Sequence, residues 1–512
     1  MSDVPRGSHT SHLRFARGAS YLIIQTLGIN AISILAFVVL ARLISPKEMG
    51  IWAILQLIIA TCSTFATWFP QAVTKFVAEN VSKASKATAA AAFYQALRAN
   101  VVIYVPVIVG VFYGASFLAS HLFRDVSYAP LLQIAAFDIF LSAAAIPLVM
   151  AALLGLGMFR QIAVVGLVIG GVFKQAMIIL LIILLRSFVG LVIGWVVSDA
   201  ATLLVYLYFA VRALGAPRFD FPLAKLVSYY FPLELAQIVQ YAQTWFDRAI
   251  LVVYVSLATL GIYNAAIVAF GVLTSVAGAM SNMLFPAYSS IQDVTERRES
   301  MRGATGLATR YATLILTPLG FGLLATAKPA ITLLVGEAYV GGHLPLVIFS
   351  SAFAVTAFAT ALGPVFLALN ETKSFAAIVG VATAIGLAAA YILLPIWGIE
   401  GAAAARALTI ILTTIFTIHV LKSRIGLQLD LKMIAKTMLS GTTMAAALFL
   451  VQLTRYNKFL LPLYVLVGGM VYIMMLRLLK VVHSSDLELL NDFAGKRLSL
   501  FARILSWMLL AD

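Results

Sequence analysis

A few ionisable side chains lie inside long apolar runs, where a charge must be stabilised by a partner, by water or by a ligand. The basic ones are Arg98, Lys174, Arg248, Arg310 and Arg406, with Arg477 near the end of a later run; the acidic ones are Asp138, Asp199, Glu234 and Asp247. An arginine in such a place offers a planar fork of donors suited to phosphate or carboxylate. A buried acid can exchange a proton or hold a cation. Arg98 falls about nine residues into its run, roughly 14 Å deep at helical rise, with Arg310 at a similar or shallower depth. Facing each other across a central cleft, the two would hold an anionic headgroup; otherwise each snorkels to lipid phosphate. Lys174, Asp138 and Asp199 fall near mid-run, either as an internal ion pair with a spare acid or as the lining of a cavity. Glu234, Gln237, Gln240, Tyr241, Gln243, Thr244, Asp247 and Arg248 include several at i, i+3 and i+4 spacing, a polar stripe turned to the protein interior or to water.

No catalytic constellation accompanies these residues, so no enzyme is expected. The histidines (His9, His12, His121, His343, His419 and His483) are isolated and lack metal-ligand spacing. Gly155-x-Gly157 follows no strand, and no Gly-Lys-Ser/Thr loop is present, which argues against direct ATP use. The single cysteine, Cys62, excludes an intramolecular disulfide and a cysteine-rich metal site.

The elements that must position the charged residues follow from composition. The chain has 512 residues, 62% hydrophobic and 11% charged, with a mean hydropathy of +1.02. A soluble core cannot hide that much apolar surface, so the chain is a polytopic membrane protein. The net charge of +15 is scattered over short loops, which excludes a nucleic-acid partner. Apolar runs give about fourteen spans: 18–44, 50–77, 89–118, 129–156, 162–185, 188–211, 228–255, 261–289, 304–330, 344–369, 374–395, 400–421, 433–454 and 459–480. The first run is too long for a cleavable signal and reads as a retained helix. With the N-terminus inside, 22 basic residues fall on inner segments and 7 on outer ones, which predicts cytoplasmic N- and C-termini.

One stretch occurs twice. Ala96-Leu97-Arg98, Pro106 and Gly110 match Ala308-Thr309-Arg310, Pro318 and Gly322 at an offset of 212. Asp125 matches Glu337 at the same offset, Leu154–Ala163 matches Leu367–Ala376 at 213, and Gly50-Ile51-Trp52 matches Gly261-Ile262-Tyr263 at 211. The expected fold is all-α, with two parallel-repeat six-helix lobes plus two extra helices. Residues 1–211 form the N-lobe, 212–227 a cytoplasmic linker, 228–421 the C-lobe and 422–480 spans 13 and 14. In 481–512, Leu490, Phe493, Leu498, Phe501, Leu505 and Met508 recur near helical spacing among Lys496, Arg497 and Arg503, as in an amphipathic helix on the cytoplasmic leaflet.

Three motifs carry a family resemblance. Leu40-Ala41-Arg42-Leu43-Ile44-Ser45-Pro46-Lys47-Glu48-Met49-Gly50-Ile51 resembles the first hairpin of polysaccharide and O-antigen flippases. Asp247-Arg248 followed by Gly261-Ile262-Tyr263 resembles their seventh span and its turn. Pro395-Ile396-Trp397-Gly398-Ile399-Glu400-Gly401-Ala402-Ala403 resembles their turn between spans 11 and 12. That family lies in the multidrug/oligosaccharidyl-lipid/polysaccharide flippase superfamily. The resemblance implies moving a polyprenyl-(pyro)phosphate-linked oligosaccharide from the cytoplasmic to the outer leaflet by alternating access, for cell-surface polysaccharide or glycan assembly. Some relatives hold a coupling cation on acids in spans 11 and 12; here those spans carry Arg406 and no acid, with Glu400 only in the turn between them.

The reading to test is therefore a monomeric flippase of the cell membrane, with lipid-linked oligosaccharide and membrane lipids as partners. Arg98, Arg310, Lys174, Arg248 and Arg406 would bind substrate. Asp138, Asp199, Glu234 and Asp247 would couple transport to a cation, proton or sodium, with no metal site and no other cofactor. The alternative is a cation-coupled multidrug exporter of the same fold, whose cavity would favour carboxylates and aromatics over arginines. A membrane-embedded glycosyltransferase or ligase would need a sizeable outer loop bearing carboxylates or histidines, and the outer loops are too short.

Overall fold

Within lipid, a chain must satisfy its backbone hydrogen bonds internally, and long apolar runs do so as helices. The computed structural model describes residues 7–66, 69–291, 297–454 and 456–482, and among them every regular element is helical, with no strand. The chain divides into two compact units, Met1–Val253 and Tyr254–Asp512. The first contains α1 (Gly7–Leu43), α2 (Pro46–Ala66), α3 (Pro70–Ser82) and α4 (Lys86–Tyr113). It continues with α5 (Val126–Gly155), α6 (Phe159–Leu185), α7 (Val189–Leu214) and α8 (Leu223–Tyr254), the last ending at the unit boundary. The second contains α9 (Leu257–Ser289), α10 (Arg297–Leu334), α11 (Glu337–Ala368), α12 (Thr372–Ile425), α13 (Leu431–Thr454) and α14 (Leu461–Leu478).

Twelve stretches among the described residues are long and apolar enough to cross a membrane. The chain is thus a multi-pass membrane protein, and the count differs from the sequence-based fourteen in two places. Spans 374–395 and 400–421 fall in α12, a single run of 54 residues broken at Gly398 (φ 58°, ψ −132°). Unbroken, it would reach about 80 Å, more than twice a ~30 Å hydrocarbon core. The expected seventh span falls in α8, whose polar stripe keeps it outside the set of twelve. The expected second span, 50–77, is also divided: Phe69 is left-handed (φ 85°) and Pro70 opens α3, so the helix restarts there. Residues 483–512, which hold nearly all of the expected amphipathic tail, lie outside the described residues.

The two units repeat their turns bond for bond. Ser45 caps α2, its Oγ accepting from the Glu48 N–H at 3.3 Å, and Ser256 caps α9, its Oγ accepting from the Thr259 N–H at 3.2 Å. After α5 the N–H groups of Gly157 and Met158 donate to the carbonyls of Leu154 and Leu153; after α11 those of Asn370 and Glu371 donate to Leu367 and Phe366. Gly157 (φ 71°) and Asn370 (φ 60°) both take the left-handed conformation that this helix ending needs. Arg186, between α6 and α7, is left-handed at φ 48°, and the break at Gly398 lies 212 residues on. The α12 break is therefore the counterpart of the loop that separates α6 from α7.

In the second unit, α13 and α14 pack on α10. Gln452 donates to the Ala325 carbonyl at 2.9 Å, Tyr472 donates to the Leu314 carbonyl at 2.9 Å, and Met444, Leu448 and Tyr464 share a core with Ala325.

Candidate functional site

The first unit gathers three of the expected residues. Lys174 on α6 donates to both carboxylate oxygens of Asp199 on α7, at 2.8 and 2.7 Å. Its ammonium lies 5.6 Å from the Trp195 ring centroid. Asp138 on α5 is 1% exposed and faces Asp199, while its Oδ1 has no hydrogen-bond partner among the described residues. Two local devices bring these groups together. Asp138 immediately precedes one π-helical stretch, Ile139–Ala145, and Lys174 immediately follows another, Val168–Phe173; each wide turn shifts the helix register. Gly190 and Gly194 let α7 touch α6: a Cβ at Gly190 would stand 2.5 Å from the Leu181 carbonyl oxygen, and one at Gly194 2.8 Å from the Ile178 Cα. Two carboxylates against one ammonium leave the cluster one positive charge short of neutrality. A proton or a monovalent cation would supply it.

The duplicated arginines occupy equivalent places with different partners. Arg98 is exposed on α4, its guanidinium 5.1 Å from the centroid of the Phe219 ring, in the segment after α7. Tyr94, one turn earlier, donates to the Gly215 carbonyl at 2.8 Å, so this segment runs along α4 beside residues 94–98. Arg98 therefore sits level with the loop that ends α7, nearer the edge of the apolar layer than the count from Ala89 suggests. Arg310 lies 4.0 Å from the Asp430 carboxylate, in the segment after α12, and donates to the Val481 carbonyl at 2.8 Å, just beyond α14. Asp430 follows Phe219 by 211 residues, so each arginine meets the same position of its own unit. No carboxylate pairs with Arg98 among the described residues, whereas Arg310 has one.

The stripe on α8 divides. Asp247 is 0% exposed, and its Oδ1 accepts from the Arg248 N–H at 2.7 Å. The Arg248 guanidinium stacks 3.7 Å from the Trp245 centroid and donates to the Thr244 carbonyl at 3.1 Å. The Tyr241 hydroxyl lies 2.5 Å from the Thr61 hydroxyl of α2. Glu234 stands apart, lining a cavity of about 370 Å³ between α2, α3, α5 and α8. Arg406 is half-buried on α12 and engaged with its surroundings. The structure thus joins Lys174 to Asp138 and Asp199, and Asp247 to Arg248, and leaves Glu234, Arg98, Arg310 and Arg406 in separate places.

Sequence reasoning missed Trp195, Phe219, Tyr230 and Gln71. Trp195 was the most accessible of these, since it precedes Asp199 by four residues and shares its helix face. Phe219 lies in a loop, where no periodicity points at a partner.

A family model described as polysaccharide biosynthesis protein matches residues 39–342. The "Probable low-salt glycan biosynthesis flippase Agl15" of Haloferax volcanii is 22% identical over 209 residues, covering 41% of this chain and 44% of that protein. The "Succinoglycan biosynthesis transport protein ExoT" of Rhizobium meliloti is 29% identical over 126 residues, covering 24% of this chain and 25% of that protein. The chain thus spans less than half the length of these curated relatives. Among solved structures, the lipid II flippase MurJ in an inward closed conformation superposes with a TM-score of 0.70 at 15% identity, over 88% of this chain and 97% of that one. An inward-facing multidrug resistance MATE family transporter of the MOP superfamily gives 0.60 at 15% identity, over 80% and 98%. These likenesses show that the chain shares the fold of those two proteins.

Proposed function

Because the chain belongs to the polysaccharide biosynthesis protein family, we propose that it is a non-enzymatic flippase. It moves a polyprenyl-(pyro)phosphate-linked oligosaccharide from the cytoplasmic to the outer leaflet of the cell membrane by alternating access. The family match over residues 39–342 carries the reading, and the flippase named among its relatives supports it. In this reading α12 crosses twice and α8 once, giving fourteen crossings in two six-helix lobes plus α13 and α14, with both termini cytoplasmic. The chain works as a monomer among membrane lipids and binds no nucleic acid. Arg98 receives the phosphate: its guanidinium is exposed, held over an aromatic ring and not neutralised by a carboxylate. Arg310, Arg248 and Arg406 act on the substrate less directly, because each is already engaged. The Asp138–Lys174–Asp199 cluster supplies the coupling site for a proton or sodium ion, and Asp247, held by Arg248, contributes less.

The test is transfer of a labelled lipid-linked oligosaccharide between leaflets of proteoliposomes, with and without a proton or sodium gradient. Transfer above protein-free vesicles is expected, and its absence removes the reading. One observation favours the multidrug alternative: among the described residues, the Glu234 cavity carries a carboxylate and no basic residue. Gradient-driven efflux of a lipophilic cation by the same vesicles, without oligosaccharide transfer, would decide for it.

A further inference from the structure

The cavity around Glu234 has no part in the phosphate contact or the charge cluster. It is lined by Ser63 and Thr64 of α2, Gln71 of α3 and Tyr230, Glu234 and Gln237 of α8, with an aliphatic wall from α5, and measures about 370 Å³. Glu234 is 5% exposed, yet neither carboxylate oxygen has a partner of hydrogen-bond geometry among the described residues, although Tyr230 approaches it. A buried carboxylate left in that state is costly unless a ligand brings donors to it. Among the described residues no lysine, arginine or histidine lines the cavity, so a phosphate would meet only a like charge. A metal ion would lack ligands, since no cluster of three histidine, cysteine or acidic residues occurs among the described residues. A lipophilic cation would find one aromatic ring and the aliphatic wall from α5, but would leave the serine and threonine hydroxyls and the two glutamine amides without partners.

What these groups match is a ring bearing several hydroxyls. Two glutamine amides offer both donors and acceptors, the serine and threonine hydroxyls do the same, and a carboxylate accepts from two neighbouring hydroxyls at once. The Tyr230 ring adds a flat apolar face. We propose that this cavity is a subsite for an uncharged sugar residue, separate from the phosphate contact at Arg98, with Glu234 and Gln237 as its main hydrogen-bonding groups. The proposal deepens the flippase reading and rests on it for the source of the sugar.

The experiment is isothermal titration of the full chain in lipid nanodiscs with a panel of neutral, lipid-free and phosphate-free mono- and disaccharides. At least one should bind in the millimolar range, with affinity falling at least about tenfold in Glu234→Ala, the loss expected for a charge-assisted hydrogen bond. Gln237→Ala should weaken it several-fold, and because Gln237 is exposed on α8 it provides a second variant should Glu234→Ala fail to fold. Binding of no saccharide in the panel, or equal affinity in both variants, overturns the subsite. Glu234-dependent binding of tetraphenylphosphonium that no saccharide displaces assigns the cavity to a cation instead. A protein that binds saccharide but transfers no lipid-linked oligosaccharide sinks the flippase reading alone. One that transfers the lipid-linked oligosaccharide but binds no saccharide sinks the subsite alone.

Discussion

The two units share a turn vocabulary and differ in what their charges do. Ser45 and Ser256, Gly157 and Asn370, and Arg186 and Gly398 hold equivalent places in caps, helix endings and breaks. Even the approach of backbone to backbone recurs, since a Cβ at Gly401 would stand 2.3 Å from the Leu393 carbonyl oxygen, as one at Gly190 would crowd Leu181. The side chains hung on that frame have diverged. Asp138 corresponds to Ser350, a buried serine whose Oγ has no partner among the described residues, so the second unit does not repeat the charge cluster at that position. Phe219 corresponds to Asp430, so one arginine keeps an available guanidinium and the other is neutralised in place. Duplication thus preserves what the backbone requires. Charge follows each unit's own neighbours, which for Arg310 include the extra pair α13 and α14.

The largest effect is expected where the asymmetry is greatest. Lys174→Ala leaves two buried carboxylates without their cation and should cost about 3–5 kcal/mol, read as a lowered unfolding transition in detergent. A variant as stable as the wild type would mean that the cluster is not held as a buried pair. Asp138→Ser installs the second unit's residue at the matching position; it should abolish gradient dependence of transfer while leaving the protein folded. Arg310→Ala should cost about 1–3 kcal/mol, because a carboxylate and a carbonyl lose their charged donor. Arg98→Ala, at an exposed position, should change stability by no more than about 0.5 kcal/mol, yet depress transfer sharply. Arg98→Lys should restore transfer only in part, since lysine lacks the bidentate fork. Phe219→Asp would make the first unit resemble the second, and transfer should fall as Arg98 is neutralised; unchanged transfer would break the proposed contrast between the arginines. Ser45→Ala and Ser256→Ala should each cost about 1 kcal/mol, equally if the caps are truly equivalent. The smallest effect belongs to Gly157→Asn, within about 0.5 kcal/mol because asparagine tolerates the left-handed conformation, whereas Gly157→Val should cost more.

Much of this architecture was legible in the sequence because hydropathy and turn residues are local signals. The apolar runs located the helices, and offsets of 211 to 213 residues located the repeated stretches. Position along a helix also showed that Arg98 and Arg310 are equivalents. It could not show their partners, because Asp430 and Val481 lie far along the chain from Arg310 and approach only through packing. The division of α2 from α3 was missed because residues 50–77 are mostly apolar, and the restart depends on the backbone of Phe69 and Pro70. The α8 stripe was visible as a stripe. That Asp247 and Arg248 engage each other while Glu234 opens into a cavity depends on α2, α3 and α5, which periodicity within α8 cannot report.

The contact from Arg310 to the carbonyl of Val481 joins residues 171 apart in sequence. During synthesis, α10 thus leaves the ribosome roughly ten to thirty seconds before its acceptor exists, at ~5–20 residues per second. Until then the donor that Val481 will meet is left to water or lipid headgroups. That contact in the second unit is accordingly made only after α13 and α14 have been synthesised. A chain released after Ile425 would lack both the Asp430 carboxylate and the Val481 carbonyl that this guanidinium meets in the finished unit.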